Sequence, residues 1–182
     1  MIAGPSGVGK GSVVKRLLDA DPDRLAYSVS VKTRAPRPIE RHGRDYFFIS
    51  EDEFDEMIER DLLLEWAPFV DHRSGTPRAF VDEQLSAGRD VILEIDVKGA
   101  GQVRDRVPGA LLIFLAPPSM DELERRLRGR GTEDEQRIAR RLATASWEMN
   151  QTDWFDHVVV NDDLDHASSQ VAAIIEASRS ET

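Results

Sequence analysis

The chain has 182 residues, enough for one well-buried domain with a small inserted lobe. Hydrophobic residues make up 40% and charged residues 32%, an ordinary globular balance, and the absence of cysteine excludes disulfides and thiolate metal sites. A net charge of -10 argues against bulk-charge binding of nucleic acid, so any anion must be held at local basic spots in an otherwise acidic, solvated surface.

The first feature is GPSGVGKGS, Gly4 to Ser12. It fits G-x-x-x-x-G-K-[ST] at Gly4, Gly9 and Lys10, with Pro5, Ser6, Gly7 and Val8 between; Gly11 stands where a hydroxyl belongs, and Ser12 follows one place later. Backbone N–H groups of such a loop bind phosphate oxygens. A helix starting near Gly9 adds the positive end of its dipole, and Lys10 adds a point charge. The plainer alternative is a Gly-rich turn before an amphipathic helix. Only Met1-Ile2-Ala3 precede the loop, a stub of the strand that should feed it. Either the natural start lies upstream or that strand is short and stability suffers, which melting against an upstream-extended chain would distinguish.

From about 28 to 87 the texture changes. Tyr27 to Val31 reads as a strand, followed by a loop carrying Arg34, Arg37, Arg41 and Arg44, with Pro36 and Pro38 stiffening its path. Arginine suits bidentate phosphate contact, which fits Arg34 and Arg37; Arg41 and Arg44 read as solvated. Tyr46 to Ile49 is a second short strand. Ser50 and Glu53 form a capping box for a helix with Phe54, Met57 and Ile58 on one side, and Leu62 to Trp66 is a further strand before a Gly-containing turn. Short strands joined by tight loops predict a mixed or antiparallel lobe inserted before Val91.

Three apolar runs then read as buried parallel strands: Val91 to Ile95, Leu111 to Leu115, and Val158 to Val160. After the first, Asp96 ends the strand and a helix runs to about Arg106. An acid there sits where open α/β sheets bind ligands, or caps the helix, or both. After the second, Ser119 and Glu122 cap a helix bearing Leu123 and Leu127. A charged, Gly-punctuated piece from Arg128 leads into a helix with Ile138, Leu142, Ala145 and Met149 on one face. Asn161 closes the third strand, and a last helix carries Val171, Ile174 and Ile175. Strand alternating with helix predicts an α/β domain with a mainly parallel sheet. His42, His72, His157 and His166 are scattered and suggest no catalytic group.

The segments GPSGVGKG, SVSVKTRAPRP, GRDYFF, LLEWA, SGTPR, ILEIDVKGA, IFLAPPS, RGRGTEDE, IARRL and VVVNDDL follow one another in the order found in guanylate kinases, and from Gly4 nearly to the end the chain resembles that family. The resemblance implies a P-loop NTPase-like α/β fold: a five-stranded parallel sheet flanked by helices, an inserted mixed-sheet GMP-binding lobe and a helical LID. As one guanylate-kinase-like domain over 1–182, its CORE would be 1–27, 88–123 and 150–182, its GMP lobe 28–87 and its LID 124–149. It implies transfer of the γ-phosphoryl group of ATP to GMP, and to dGMP. Arg34, Arg37 and Tyr46 would hold the GMP phosphate, and Ser30, Glu65, Thr76 and Glu94 would read guanine. Lys10, Arg34 and the LID arginines Arg130 and Arg141 would be the catalytic cations. Ser12 and Asp96 would face Mg²⁺, mostly through water, and Asn161 would lie near the ATP base. Read without the resemblance, Glu65 and Glu94 fit rim charges equally well, and Arg126, Arg128 and Arg140 read as solvated helix-face residues.

Three departures stand out. Ile39 replaces a glycine before Glu40, so that turn must avoid positive φ; Lys98 replaces a glutamine; and Ser74, preceded by Arg73, replaces a tyrosine that touches the GMP phosphate in many relatives. Arg73 or Ser74 is expected to replace that phenol in part. A scaffold-type binding module, or a P-loop kinase with another phosphate acceptor, is the alternative function. No apolar run reaches the roughly 18 residues of a membrane span. With no leader visible, a cytoplasmic protein with no membrane or nucleic-acid partner is expected, monomeric or homodimeric.

Overall fold

A computed structural model describes residues 1–68, 71–129 and 134–180. In chain order its elements begin with β1 (Ile2–Ala3), α1 (Lys10–Ala20), β2 (Leu25–Tyr27), β3 (Val31–Lys32), β4 (Phe47–Phe48) and α2 (Glu51–Glu59). There follow β5 (Leu63–Pro68), β6 (Arg73–Pro77), α3 (Arg78–Ser86), β7 (Asp90–Ile92) and α4 (Val97–Arg106). The chain ends with β8 (Ile113–Ala116), α5 (Met120–Gly129), α6 (Glu135–Met149), a 3₁₀ turn at Thr152–Trp154, β9 (His157–Val160) and α7 (Leu164–Ser180). These elements form two compact units. One comprises Met1–Pro22, Glu94–Val97 and the described chain from Gly109 onward; the other comprises Asp23–Leu93 and Lys98–Pro108.

In the first unit β1, β8 and β9 pair in parallel, in the order β1-β8-β9. β8 is buried along its whole length, as an all-apolar strand covered on both faces must be. Phe114 is fully buried and meets the Phe155 ring edge-on at 5.1 Å. α1 turns Val13, Val14 and Leu17 inward and packs on α7, whose Ala167 and Val171 are fully buried. α5 buries Leu123 and Leu127, and α6 buries Ile138 and Ala145, the stripe its 3.6-residue period predicts.

The second unit holds the parallel pair β2-β7 and a four-stranded mixed sheet in the order β4-β3-β6-β5. β3 runs parallel to β4 and antiparallel to β6, and β6 is antiparallel to β5. Val31, Phe54 and Leu63 form its core with Phe47, Ile49, Met57, Ile58 and Trp66 around them. α2 starts on the predicted capping box: Ser50 accepts the Glu53 N–H while the Glu53 carboxylate takes the Ser50 N–H. Gln102 of α4 bonds both backbone groups of Trp66, at 3.2 and 2.6 Å, fastening the helix to β5.

The fold class is α/β, as expected, with a correction to the sheet. The five parallel strands fall into a group of three and a group of two, because β1 is only two residues long and β7 ends at Ile92. Beyond β7 the pairing continues as one bridge, Ile2 to Glu94. Helix α3 was not foreseen; it buries only Val81, so its apolar period is faint behind the Gly75 turn signal. Among the described residues, no helix is long and apolar enough to cross a membrane.

Candidate active site

The loop between β1 and α1 carries its glycines where nothing else fits. Gly4 has φ +142°, and a Cβ there would lie 2.2 Å from the Leu115 carbonyl oxygen, a backbone atom that cannot yield. Gly9, the N-cap of α1, has φ +103°, and its Cβ would lie 2.5 Å from Asn161 Nδ2. Lys10 arches back over the loop, donating from Nζ to Gly4 O at 2.6 Å and Pro5 O at 3.2 Å. Pro5 and Val8 are buried, Gly7 is half-buried, and Ser6, Gly11 and Ser12 are exposed. The opening N–H groups of α1 have no partner within the helix by geometry, which makes this end an anion receptor.

Gly11, the motif's oddity, has a close neighbour. A Cβ there would lie 3.4 Å from the Glu94 carboxylate, within van der Waals contact. Glu94 and Asp96 are both half-buried and lie two residues apart on the segment that bridges Ile2, where Ile95 N–H donates to Ile2 O at 3.3 Å. Thus the structure places Glu94 beside the start of α1.

The loop is braced from behind. Asn161, 5% exposed, donates from Nδ2 to Val8 O at 2.7 Å, and its own N–H is held by Ala116 O at 2.8 Å. Arg126 donates to the same Val8 O at 3.3 Å and to Asn161 O at 3.0 Å, and reaches Glu122 at 2.7 Å. Hydrogen bonds from Arg125 and Arg126 hold the Glu122 carboxyl at about 2, well below its ordinary range. Arg126 is therefore not a solvated helix-face residue, as its sequence setting suggested: its guanidinium turns into the loop. Arg128 does stay at the surface, paired with Glu124 and Glu135. Arg141 is half-buried on α6, and Arg130 lies outside the described residues.

The second unit gathers the remaining candidates. Glu65 of β5 and Thr76 of β6 are cross-strand partners, 5% and 1% exposed, and the Thr76 hydroxyl donates to Glu65 Oε1 at 2.7 Å. This excludes the rim-charge alternative for Glu65. Ser30 is buried, its carbonyl taken by the Phe47 N–H at 2.9 Å. The Ser28 hydroxyl, which its sequence context did not single out, is buried with no hydrogen-bond partner among the described residues. Arg34 forms a bidentate pair with Glu40, at 2.7 and 2.8 Å, and its Cζ lies 5.7 Å from the Tyr46 ring centroid. Tyr46 is half-buried, while Arg37 is exposed and holds Glu40 through its backbone N–H at 2.8 Å. Ile39 lies outside positive φ, as its replacement of glycine requires.

Arg73 is engaged elsewhere than expected. It pairs with Glu51 and Asp55 of α2, at 2.5 Å each, and lies 4.6 Å over the Phe54 ring. Its backbone N–H donates to the Thr33 hydroxyl at 2.8 Å. These bonds pin β6 to α2 and occupy the guanidinium. Ser74, next to it on β6, is half-buried.

A glycine-rich loop at the end of a parallel strand, opening a helix and crossed by its own lysine, defines a P-loop α/β protein. The family model described as guanylate kinase matches residues 1–178, and the chain belongs to that family. It is 55% identical over 171 residues to a guanylate kinase of a Synechococcus strain, covering 94% of this chain and 91% of the relative. It is 47% identical over 179 residues to the guanylate kinase of Caldanaerobacter subterraneus, covering 98% and 86%. The crystal structure of guanylate kinase from Anaplasma phagocytophilum superposes with a TM-score of 0.78 at 29% identity, covering 97% of this chain and 84% of that one.

Proposed function

We propose that this chain transfers the γ-phosphoryl group of ATP to GMP, and to dGMP, giving ADP and GDP. The family match over residues 1–178 carries the reading, because it takes in both the lysine-bearing loop and the buried Glu65–Thr76 pair. The loop residues Gly4 to Ser12 hold the ATP phosphates on backbone N–H groups, with Lys10 exchanging its bonds to Gly4 and Pro5 for phosphate oxygens. Asn161, expected beside the ATP base, acts from behind the loop on Val8.

Guanine is read by Glu65, Thr76 and Ser30, with Glu94 a further acid in the set. Guanine presents N1–H and an exocyclic amine to a carboxylate, and adenine offers no such pair. AMP would deprive the buried Glu65 carboxylate of the donors that guanine supplies, a large penalty. Arg34, Arg37, Tyr46 and Ser74 hold the acceptor phosphate. One of its oxygens attacks the γ-phosphorus in line; a new P–O bond forms as the bond to the bridging β–γ oxygen breaks, and ADP leaves. The cations Lys10, Arg34, Arg130 and Arg141 offset charge that spreads over the transferring group, and no covalent enzyme intermediate is needed.

Among the described residues there is no cluster of three acidic or histidine ligands. The exposed Ser12 hydroxyl and the half-buried Asp96 suit Mg²⁺, which keeps several waters and takes substrate phosphates. Bound there, Mg²⁺ supplies charge neutralisation to the phosphates. The LID at 124–149 is proposed to close over ATP and exclude water.

A coupled ADP-release assay with GMP, dGMP, AMP, UMP and ribose 1,5-bisphosphate tests the reading. GMP and dGMP should be turned over with kcat/KM at least about a hundredfold above AMP, and Glu65→Gln should erode that preference. AMP as the preferred acceptor, or no turnover, would remove it.

A further inference from the structure

Lys32 belongs to neither the loop motif nor the arginines, yet the sheet places it at the acceptor-phosphate residues. On β3 it lies directly opposite Ser74 of β6 in antiparallel register and beside Phe48 of β4 in parallel register. Directly opposed residues of an antiparallel pair put their side chains on one face of the sheet. Its Nζ stands 3.5 Å from the centroid of the Tyr46 ring. Arg34, two residues on, approaches the same ring at 5.7 Å and the Phe48 ring at 5.5 Å. His72 lies just ahead of β6, hydrogen-bonded to Asp71. Burial holds its imidazole below the ordinary value; the Asp71 hydrogen bond opposes this, and the charges of Lys32 and Arg34 lower it further.

Two basic side chains thus converge on one phenol, in a chain whose net charge is -10. The fork of Arg34 is already engaged bidentately by Glu40, which fixes its position and offsets its charge. A lysine offers a compact charge on a flexible stem, able to leave a ring face for an anion beside it. At position 74 a serine hydroxyl brings no charge, and the guanidinium of Arg73 is committed to Glu51 and Asp55.

We propose that Lys32 is a further binding residue for the acceptor's phosphate, delivering from β3 the cation that neither Ser74 nor Arg73 delivers from β6. The proposal rests on the reading of GMP as acceptor. Calorimetric titration of GMP and of guanosine, which lacks the phosphate, into the unaltered chain, Lys32→Gln and Lys32→Arg tests it. Lys32→Gln should weaken GMP roughly tenfold, the loss of one charge-assisted contact. Guanosine affinity should stay unchanged, and Lys32→Arg should restore most of the GMP affinity. Added salt should weaken GMP binding less in Lys32→Gln than in the unaltered chain. Equal GMP affinity in Lys32→Gln and the unaltered chain would overturn the proposal. So would parallel losses for GMP and guanosine, which would mark Lys32 as packing for the Tyr46 ring alone. Failure of the parent reading shows separately, as an unaltered chain that binds GMP no more tightly than AMP.

Discussion

Arg34 is held in place by a turn of its own loop. Glu40 takes both of its terminal nitrogens, and the Arg37 N–H takes Glu40 in turn, so a tight turn across Ile39 builds the pair. Glu40 N–H closes that turn onto Arg37 O at 2.9 Å. The hydrogen bond from Arg34 holds the Glu40 carboxyl at about 2 rather than its ordinary 4.5, with the Arg37 N–H and both arginine charges adding to it. A carboxyl depressed in the folded state contributes stability that is complete above its ordinary value and lost as pH falls toward its folded one. Unfolding free energy measured between pH 6 and pH 2.5 should therefore fall more steeply in the unaltered chain than in Glu40→Gln, within the window from about 4.5 to about 2. Solvent screening in this loop keeps the difference on the order of 1 kcal/mol. Parallel acid limbs would show that Glu40 is not tied to Arg34 in solution. The motif made Arg34 visible in the sequence; its partner was not, because which carboxylate a loop arginine finds depends on the turn, and Glu40, Asp45, Glu51, Asp52, Glu53 and Asp55 all lie in or soon after that loop. For the same reason Arg73 seemed available for phosphate until α2 was seen to present Glu51 and Asp55 to it.

At the scale of elements, the phosphate loop is an arrangement of four pieces rather than one motif. Gly4 runs against Leu115 of β8, Lys10 opens α1, and Val8 O is gripped by Asn161 after β9 and Arg126 of α5. Asn161→Ala removes a buried donor and leaves Val8 O to Arg126 alone, so it should cost about 1–3 kcal/mol by denaturant unfolding and raise KM for ATP more than KM for GMP. An unchanged ATP KM would mean the brace is irrelevant to the loop's shape. The loop itself was plain in the sequence because close approach and positive φ permit only glycine at Gly4 and Gly9. The brace was hidden because its residues stand 118 and 153 positions from Val8. β8 was legible through its unbroken apolar run, and α2 through Ser50 and Glu53; β1 and α3 were not, the first being two residues long and the second burying one side chain.

For the whole molecule, the acidic surplus is a property of the surface, and the useful positive charge is concentrated in two places. One unit carries the loop, Lys10, Asp96 and Arg141; the other carries Ser30, Arg34, Tyr46, Glu65 and Thr76. The function proposed above is transfer of the γ-phosphoryl group of ATP to GMP. The fate of the γ-phosphoryl group tests that transfer. The purified chain is mixed with γ-labelled ATP, Mg²⁺ and equal concentrations of GMP and AMP, and the products are separated during the first turnovers. The account predicts label in the β-phosphate of GDP, matched one for one by ADP, and almost none in inorganic phosphate. Label released chiefly as inorganic phosphate, or delivered to AMP in preference to GMP, would contradict it.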